Sequence, residues 1–394
     1  MLVNVRLCGL TSARLCGLWR LYMRNVFLEI GKSQAEIDAR VEETFNEIFY
    51  GANNFYGTTA DGTMGFLIDT GNNDTRTEGI SYGMMMCVQL DKKKEFDQLW
   101  NWAMTKMYLD EGENKGYFAW SVATDGNKNA FGPAPDGEEF FAMSLIFASH
   151  RWGDGEGIYN YSHQAKELLR TCIHHEELYG GHNMWTDDGL IKFVPGLDFT
   201  DPSYHLPHFY DLFAENCYEE DRLFWKTAAK ASREYLKKAC HPVTGLSAEY
   251  SYYDGKPYPD HEHFGGRHDW FYSDAYRTIA NIGLAYEWES KDSDFDRFCR
   301  ETANNLQRFF FTLPSDKNRG IYEIDGTILE GTALHPIGLT ATIAQASLAA
   351  DGEYALAAVE EFWNTPLRTG ERRYYDNCLY MFAMLALSGK YKKY

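Results

Sequence analysis

The 394-residue chain is 44% hydrophobic and 24% charged, an ordinary balance for a globular protein long enough to bury its core without covalent staples. Its net charge of −19 argues against nucleic acid and anionic membranes as partners, since both attract basic surfaces. No apolar run reaches the ~18 residues of a membrane span.

In chain order, the first segment, MLVNVRLCGLTSARLCGLWRLYMRNVF, repeats RLCGL and carries arginines. It has neither the unbroken apolar stretch nor the cleavage site of a secretory signal. Helices are then predicted to begin near Ser33, Gly79, Lys93, Asp136, Tyr161, Pro202, Asp221, Ser273, Ser293, Pro336, Glu353 and Tyr374. Strand-like runs are few, with GFLIDT (65–70) and LIKFVP (190–195) the best formed. The helix from Asp221 places Phe224, Ala228, Ala231, Tyr235 and Ala239 on one face and its basic residues elsewhere, as a helix with one wet side does. The helix from Lys93 does the same through Phe96, Trp100, Met104 and Met107. MMMCVQL, FFAMSLIFA and NCLYMFAMLAL are instead apolar almost all round, the mark of a fully buried helix.

Wet and dry helices therefore alternate, with no Pro/Ser-rich linker between them. The predicted architecture is an all-α (α/α)6 barrel with minor β-strands, six helical hairpins closed in one domain. An open α-solenoid is the alternative, but no repeat with a fixed signature is present. The eight cysteines are dispersed without a CxxC pair, which suits a reducing compartment and a cytoplasmic protein without disulfides or structural zinc.

If the dry helices run in parallel, their N-terminal ends share one face of the barrel. Glu78 stands there, followed by Asp136 with Glu138 and Glu139, then Asp201, Ser203, Tyr204, His205 and His208. Asp269, Tyr272, Asp274 and Arg277 come next, then His335, then Arg373, Tyr375 and Asp376. Asp136, Ser203, Ser273 and Asp376 could equally be helix N-caps. Glu is a poor N-cap, so Glu78 before a buried run reads as functional. Asp269 and Asp274 compete for one role, and Asp274 is preferred because it enters the dry helix beside Arg277.

Aromatic residues are abundant at 16%, and Tyr117, Phe118, Trp120, Trp185, Tyr204 and Tyr375 cluster with glycines and acids rather than with aliphatics. Flat rings beside carboxylates suit sugars, whose C–H faces stack while their hydroxyls take polar partners. The histidine-rich runs DHEHFGGRHDW and HLPHF lack metal-site spacing. Residues 125–136 imitate a calcium loop but lack its sixth-position glycine. No metal or cofactor is expected. Two carboxylates and a sugar cleft imply glycoside hydrolysis, with Glu78 kept protonated by burial as general acid and Asp274 kept ionised beside Arg277.

The segments DTRTEGISYGMMM, GYFAWS, GPAPDGEEFFAMSL, DPSYHLPHFY, FYSDAYR, LHPIGL and RRYYDNCLYMFAMLALSG, spread in order over roughly residues 28–390, resemble glycoside hydrolase family 8. Within it the similarity is greatest to the reducing-end xylose-releasing exo-oligoxylanases. The resemblance implies an (α/α)6 barrel, inversion at the anomeric centre and a xylo-oligosaccharide substrate. It implies Glu78 as general acid, Asp274 as general base, Asp136 holding the reacting sugar and Tyr204 holding the attacking water. It further implies that Leu334, His335 and Pro336 close the cleft, with His335 reading the reducing-end hydroxyl. Arg76, Trp120, Tyr272, Arg277 and Tyr375 are expected to complete the sugar-binding wall. Inversion implies carboxyl groups roughly 6.5–9.5 Å apart.

Residues 1–25 do not fit the family pattern and read as an extension to a catalytic domain over 26–394. An endo-acting xylanase, another family 8 glycanase, and a non-catalytic sugar-binding toroid remain alternatives. The sequence leaves oligomeric state open between monomer and weak dimer.

Overall fold

Ser33 and Glu36 close a capping box at the first long helix, α1 (Gln34–Tyr50): the Ser33 hydroxyl accepts the Glu36 amide at 3.3 Å and the Glu36 carboxylate accepts the Ser33 amide at 2.8 Å. The computed structural model describes residues 23–259, 261–289 and 293–394. Eleven further long helices follow: α2 (Thr77–Leu90), α3 (Lys93–Trp102), α4 (Pro135–Trp152), α5 (Tyr161–Tyr179), α6 (Pro207–Asn216), α7 (Arg222–Ala239), α8 (Tyr276–Trp288), α9 (Ser293–Thr312), α10 (Pro336–Gln345), α11 (Ala355–Asn364) and α12 (Arg373–Leu387).

Each even-numbered helix packs on the next, and α12 packs back on α2, so the inner ring closes. The odd-numbered helices lie outside it, each against an inner neighbour, α1 on α12 and α3 on α2 among them. This is the (α/α)6 barrel, and the contact between α12 and α2 removes the open solenoid. The inner helices α2, α4 and α12 are buried along nearly their whole length, as their unbroken apolar sequences require. Outer α7 buries a single stripe of Trp225, Ala228, Ala229, Ser232, Tyr235, Leu236 and Ala239. That stripe is turned from the expected one, leaving Phe224 and Ala231 half-buried. Trp225 displaces Phe224 because its larger ring fits edge-on against Trp185, with centroids 5.0 Å apart.

Besides short helical turns, the described residues form three small antiparallel pairs: β1 (Tyr56–Thr58) with β2 (Gly65–Leu67), β3 (Asp74–Arg76) with β4 (Ser121–Ala123), and β5 (Ile321–Tyr322) with β6 (Ile328–Leu329). The run GFLIDT supplies β2. The run LIKFVP forms no strand, only a bridge from Ile191 to Trp185. Phe193 leaves that path to stack on Tyr204 and Phe199, at 5.7 and 5.4 Å between centroids. Helix α6 starts later than Pro202, because Pro207 disfavours a helical conformation at Leu206. Residues 202–204 form one separate turn.

Opposite the helix N-termini, the chain's last residues cover the barrel floor. The Trp288 indole donates to the Tyr391 carbonyl at 2.9 Å, and the Gln89 amide exchanges two 2.9 Å hydrogen bonds with the Lys392 backbone. The Tyr391 ring stacks on Phe382. Nearby, the Arg24 amide donates to Glu287 at 2.8 Å and its guanidinium to the Ser347 carbonyl at 2.9 Å. Of the expected extension, residues 1–22 lie outside the described residues, with Cys8 and Cys16 among them. The six described cysteines are free and buried. No described helix is long and apolar enough to cross a membrane.

Candidate active site

The β3–β4 pair fixes the entrance to α2. The Thr77 amide donates to the Trp120 carbonyl at 3.0 Å, which sets Arg76 beside the Trp120 ring. The Arg76 guanidinium lies 5.3 Å above that ring and pairs with Asp69 and Asp74, each at 3.2 Å. Glu78 then falls in the first turn of α2, facing a cavity of about 400 Å³ at the N-terminal ends of the inner helices.

One cation organises this cavity. Arg277, on the first turn of α8, is 4% exposed and lies among four carboxylates. Its Nη1 donates to Glu78 Oε2 at 3.1 Å, to Asp136 Oδ2 at 2.9 Å and to the Tyr82 hydroxyl at 3.2 Å. Its Nη2 donates to Asp201 Oδ2 at 3.2 Å and stands 3.7 Å from Asp274 Oδ2. Four acids around one guanidinium cannot all ionise cheaply, because each added charge is desolvated and repelled by the others. Burial accordingly pushes Glu78 up to about 8, against the pull of Arg277 and with help from Asp136 and Asp274. Burial likewise raises Asp201 to about 8 and lifts Asp136 above the usual carboxylate range. The Tyr374 hydroxyl donates to Glu78 Oε1 at 2.8 Å, which fixes the carboxyl's orientation.

Asp274 differs from these acids. Its side chain is 36% exposed, on the single turn Ser273–Ala275 that precedes α8. The two guanidinium nitrogens are ~2.3 Å apart, so the Glu78 and Asp274 oxygens that face them are separated by no more than about 9 Å.

Asp136, Ser203, Ser273 and Asp376 do not cap their own helices. Asp136 follows Pro135 inside α4, where Oδ1 accepts the Gly137 amide at 2.9 Å. Asp376, fully buried on α12, accepts the Ile337 and Gly338 amides of α10 at 2.8 and 2.7 Å. Its other oxygen takes His335 Nδ1 at 3.0 Å and the Arg368 guanidinium. Arg368 also donates to the Leu334 carbonyl at 2.7 Å. Leu334 and His335 are thus held rigidly on the cavity wall, and the His335 ring packs on Tyr375 at 4.7 Å between centroids.

Nine of the ten predicted residues line this cavity: Glu78, Asp136, Asp274, Arg76, Trp120, Tyr204, Arg277, His335 and Tyr375. Tyr272 does not. Its extended backbone and the turn at Ser273 carry its ring onto Trp270, 5.8 Å away. Asp269 is bound to Arg267 at 2.8 and 2.7 Å, which leaves the cavity to Asp274. Asp201 and Tyr374 stood within the helix-opening segments without being assigned a role. Phe193, Tyr250 and Phe264 form a further wall; Phe193 lies in the run predicted as a strand and Phe264 in the histidine-rich run, and neither was assigned to the cavity.

A closed helical barrel with paired acids facing an aromatic-walled cavity defines the architecture of a glycan-cleaving enzyme. Residues 55–389 match the family model for glycosyl hydrolases family 8, and the chain belongs to that family. It is 57% identical over 376 residues, 94% of each chain, to a reducing end xylose-releasing exo-oligoxylanase of Halalkalibacterium halodurans. An enzyme of the same name from Bifidobacterium adolescentis is 52% identical, covering 93% of this chain and 96% of its own. The structure of Rex8A from Paenibacillus barcinonensis complexed with xylose superposes with a TM-score of 0.90 at 53% identity, covering 95% of this chain and 98% of that one.

The electrostatics give one pH expectation. A general acid must carry its proton, and Glu78 loses it as pH rises through about 8. The kcat/KM profile is expected to fall on its alkaline side near that pH. A profile flat to pH 10 would remove Glu78 as the proton donor.

Proposed function

We propose that the protein releases xylose from the reducing end of β-1,4-xylo-oligosaccharides with inversion of the anomeric centre. The observation that carries this reading is the pairing across one cavity of a buried, proton-retaining Glu78 with the partly exposed Asp274. Glu78 gives its proton to the glycosidic oxygen as the bond to the anomeric carbon breaks, so the reducing-end xylose leaves as an alcohol. Asp274 takes a proton from the water that attacks that carbon on its opposite face. Asp136 and Arg277 grip the reacting sugar, and Tyr204 orients the water. Arg76, Trp120 and Tyr375 bound the remaining sugar faces.

Leu334 and His335 support exo action. The Asp376 contact occupies His335 Nδ1 and leaves Nε2 for a terminal hydroxyl of the substrate. The free, buried cysteines support residence in a reducing cytoplasm. The test is incubation with xylotriose and, separately, with its borohydride-reduced alditol. Xylose and xylobiose are expected from the first and no products from the second. Cleavage of both substrates would show that the reducing-end ring is not read and would overturn exo action.

A further inference from the structure

The histidine-rich segment before the proposed base is absorbed by none of the roles above. We infer that Glu249 and His268 form a positioning pair that fixes where Asp274 stands. This rests on the reading of Asp274 as general base.

Ser273, the residue before it, has φ +24°, a conformation that costs a non-glycine residue energy and persists only where its surroundings enforce it. Glu249 supplies that enforcement. Only 5% exposed, it accepts the Asp274 amide at 3.3 Å, the Trp270 indole at 3.3 Å and His268 Nδ1 at 3.1 Å. The other His268 nitrogen faces the Gly265 carbonyl at 2.9 Å. The backbones are also joined. The Glu249 amide donates to the Trp270 carbonyl at 3.0 Å and the Tyr250 amide to the His268 carbonyl at 2.8 Å. The Tyr250 ring stacks on His268 at 4.2 Å and continues into the cavity wall. The same clamp therefore sets one sugar-facing ring and the backbone of Asp274.

The test measures kcat and KM on xylotriose for Glu249→Ala, Glu249→Gln, His268→Gln, Asp274→Ala and the double variant Glu249→Ala/Asp274→Ala. Displacing a reacting group by about 1 Å costs up to ~10²-fold. Glu249→Ala is expected to lower kcat by about 10–100-fold with KM within about twofold. Glu249→Gln keeps an acceptor for the Asp274 amide and is expected to recover much of that loss, with His268→Gln close to it. In the Asp274→Ala background, removing Glu249 is expected to change the residual rate by less than about twofold, since it acts through a group already gone. If Glu249→Ala does not fold, the near-isosteric Glu249→Met, which also removes the acceptor for the Asp274 amide, carries the same comparison. Wild-type kcat in both Glu249 variants overturns the inference alone, as does a full additional loss in the double variant. Wild-type activity in Asp274→Ala overturns the reading of the base and this inference with it.

Discussion

Glu78→Gln is expected to lower kcat on xylotriose by about 10²–10⁴-fold while leaving the fold intact. Glutamine keeps the shape of the side chain and an oxygen for the Tyr374 hydroxyl, but it has no transferable proton. The same substitution has a thermodynamic signature. The folded protein raises this carboxyl from an ordinary 4.5 to about 8. A group shifted upward in that sense favours folding fully below its unfolded value, and that contribution fades as pH rises through the folded one. Melting temperatures of wild type and variant should therefore be similar near pH 4 and separate above pH 8 in favour of the variant. Activity above a tenth of wild type in a folded Glu78→Gln protein would eliminate Glu78 as the acid.

Asp376→Ala is expected to be the most destabilising single change at the cavity and to relax its selectivity. The carboxylate is fully buried and accepts from the Ile337 and Gly338 amides, His335 and Arg368. Truncation strands those donors, including a guanidinium, and losing one partner of a buried pair costs about 3–5 kcal/mol. For a chain of this size that lowers Tm by about 5 °C. The His335 ring would no longer be anchored, so the reduced trisaccharide should begin to be cleaved. An unchanged Tm, or an Asp376→Ala enzyme that still rejects the alditol, would contradict the role given to this residue.

The alternation of dry and half-wet helices made the barrel legible, because helical periodicity reports burial directly. The acids at the dry-helix starts were legible for the same reason: parallel inner helices bring equivalent ends together. Other features depend on geometry that periodicity does not encode. A period places a residue on a face but does not decide which of two adjacent rings packs inward, so Trp225 rather than Phe224 enters the core. Tyr272 and Asp274 are two residues apart, yet a left-handed Ser273 sends one outside and the other into the cavity. The four acids on Arg277 come from four segments, and only the assembled ring reveals that they share one cation. Glu249 lies in a loop whose order comes from cross-links to residues 268–274, a pattern invisible along the chain.

The floor of the barrel carries a consequence of its own. Tyr391 and Lys392 act as a stopper seated by the Trp288 indole and the Gln89 amide, at the end of the barrel opposite Glu78 and Asp274. A carboxypeptidase that trimmed past Lys390 would uncork the scaffold and leave the cutting edge untouched. Such an enzyme would age through exposure of Trp288 and Phe382 and through clumping, its wear starting at the end of the barrel opposite Glu78.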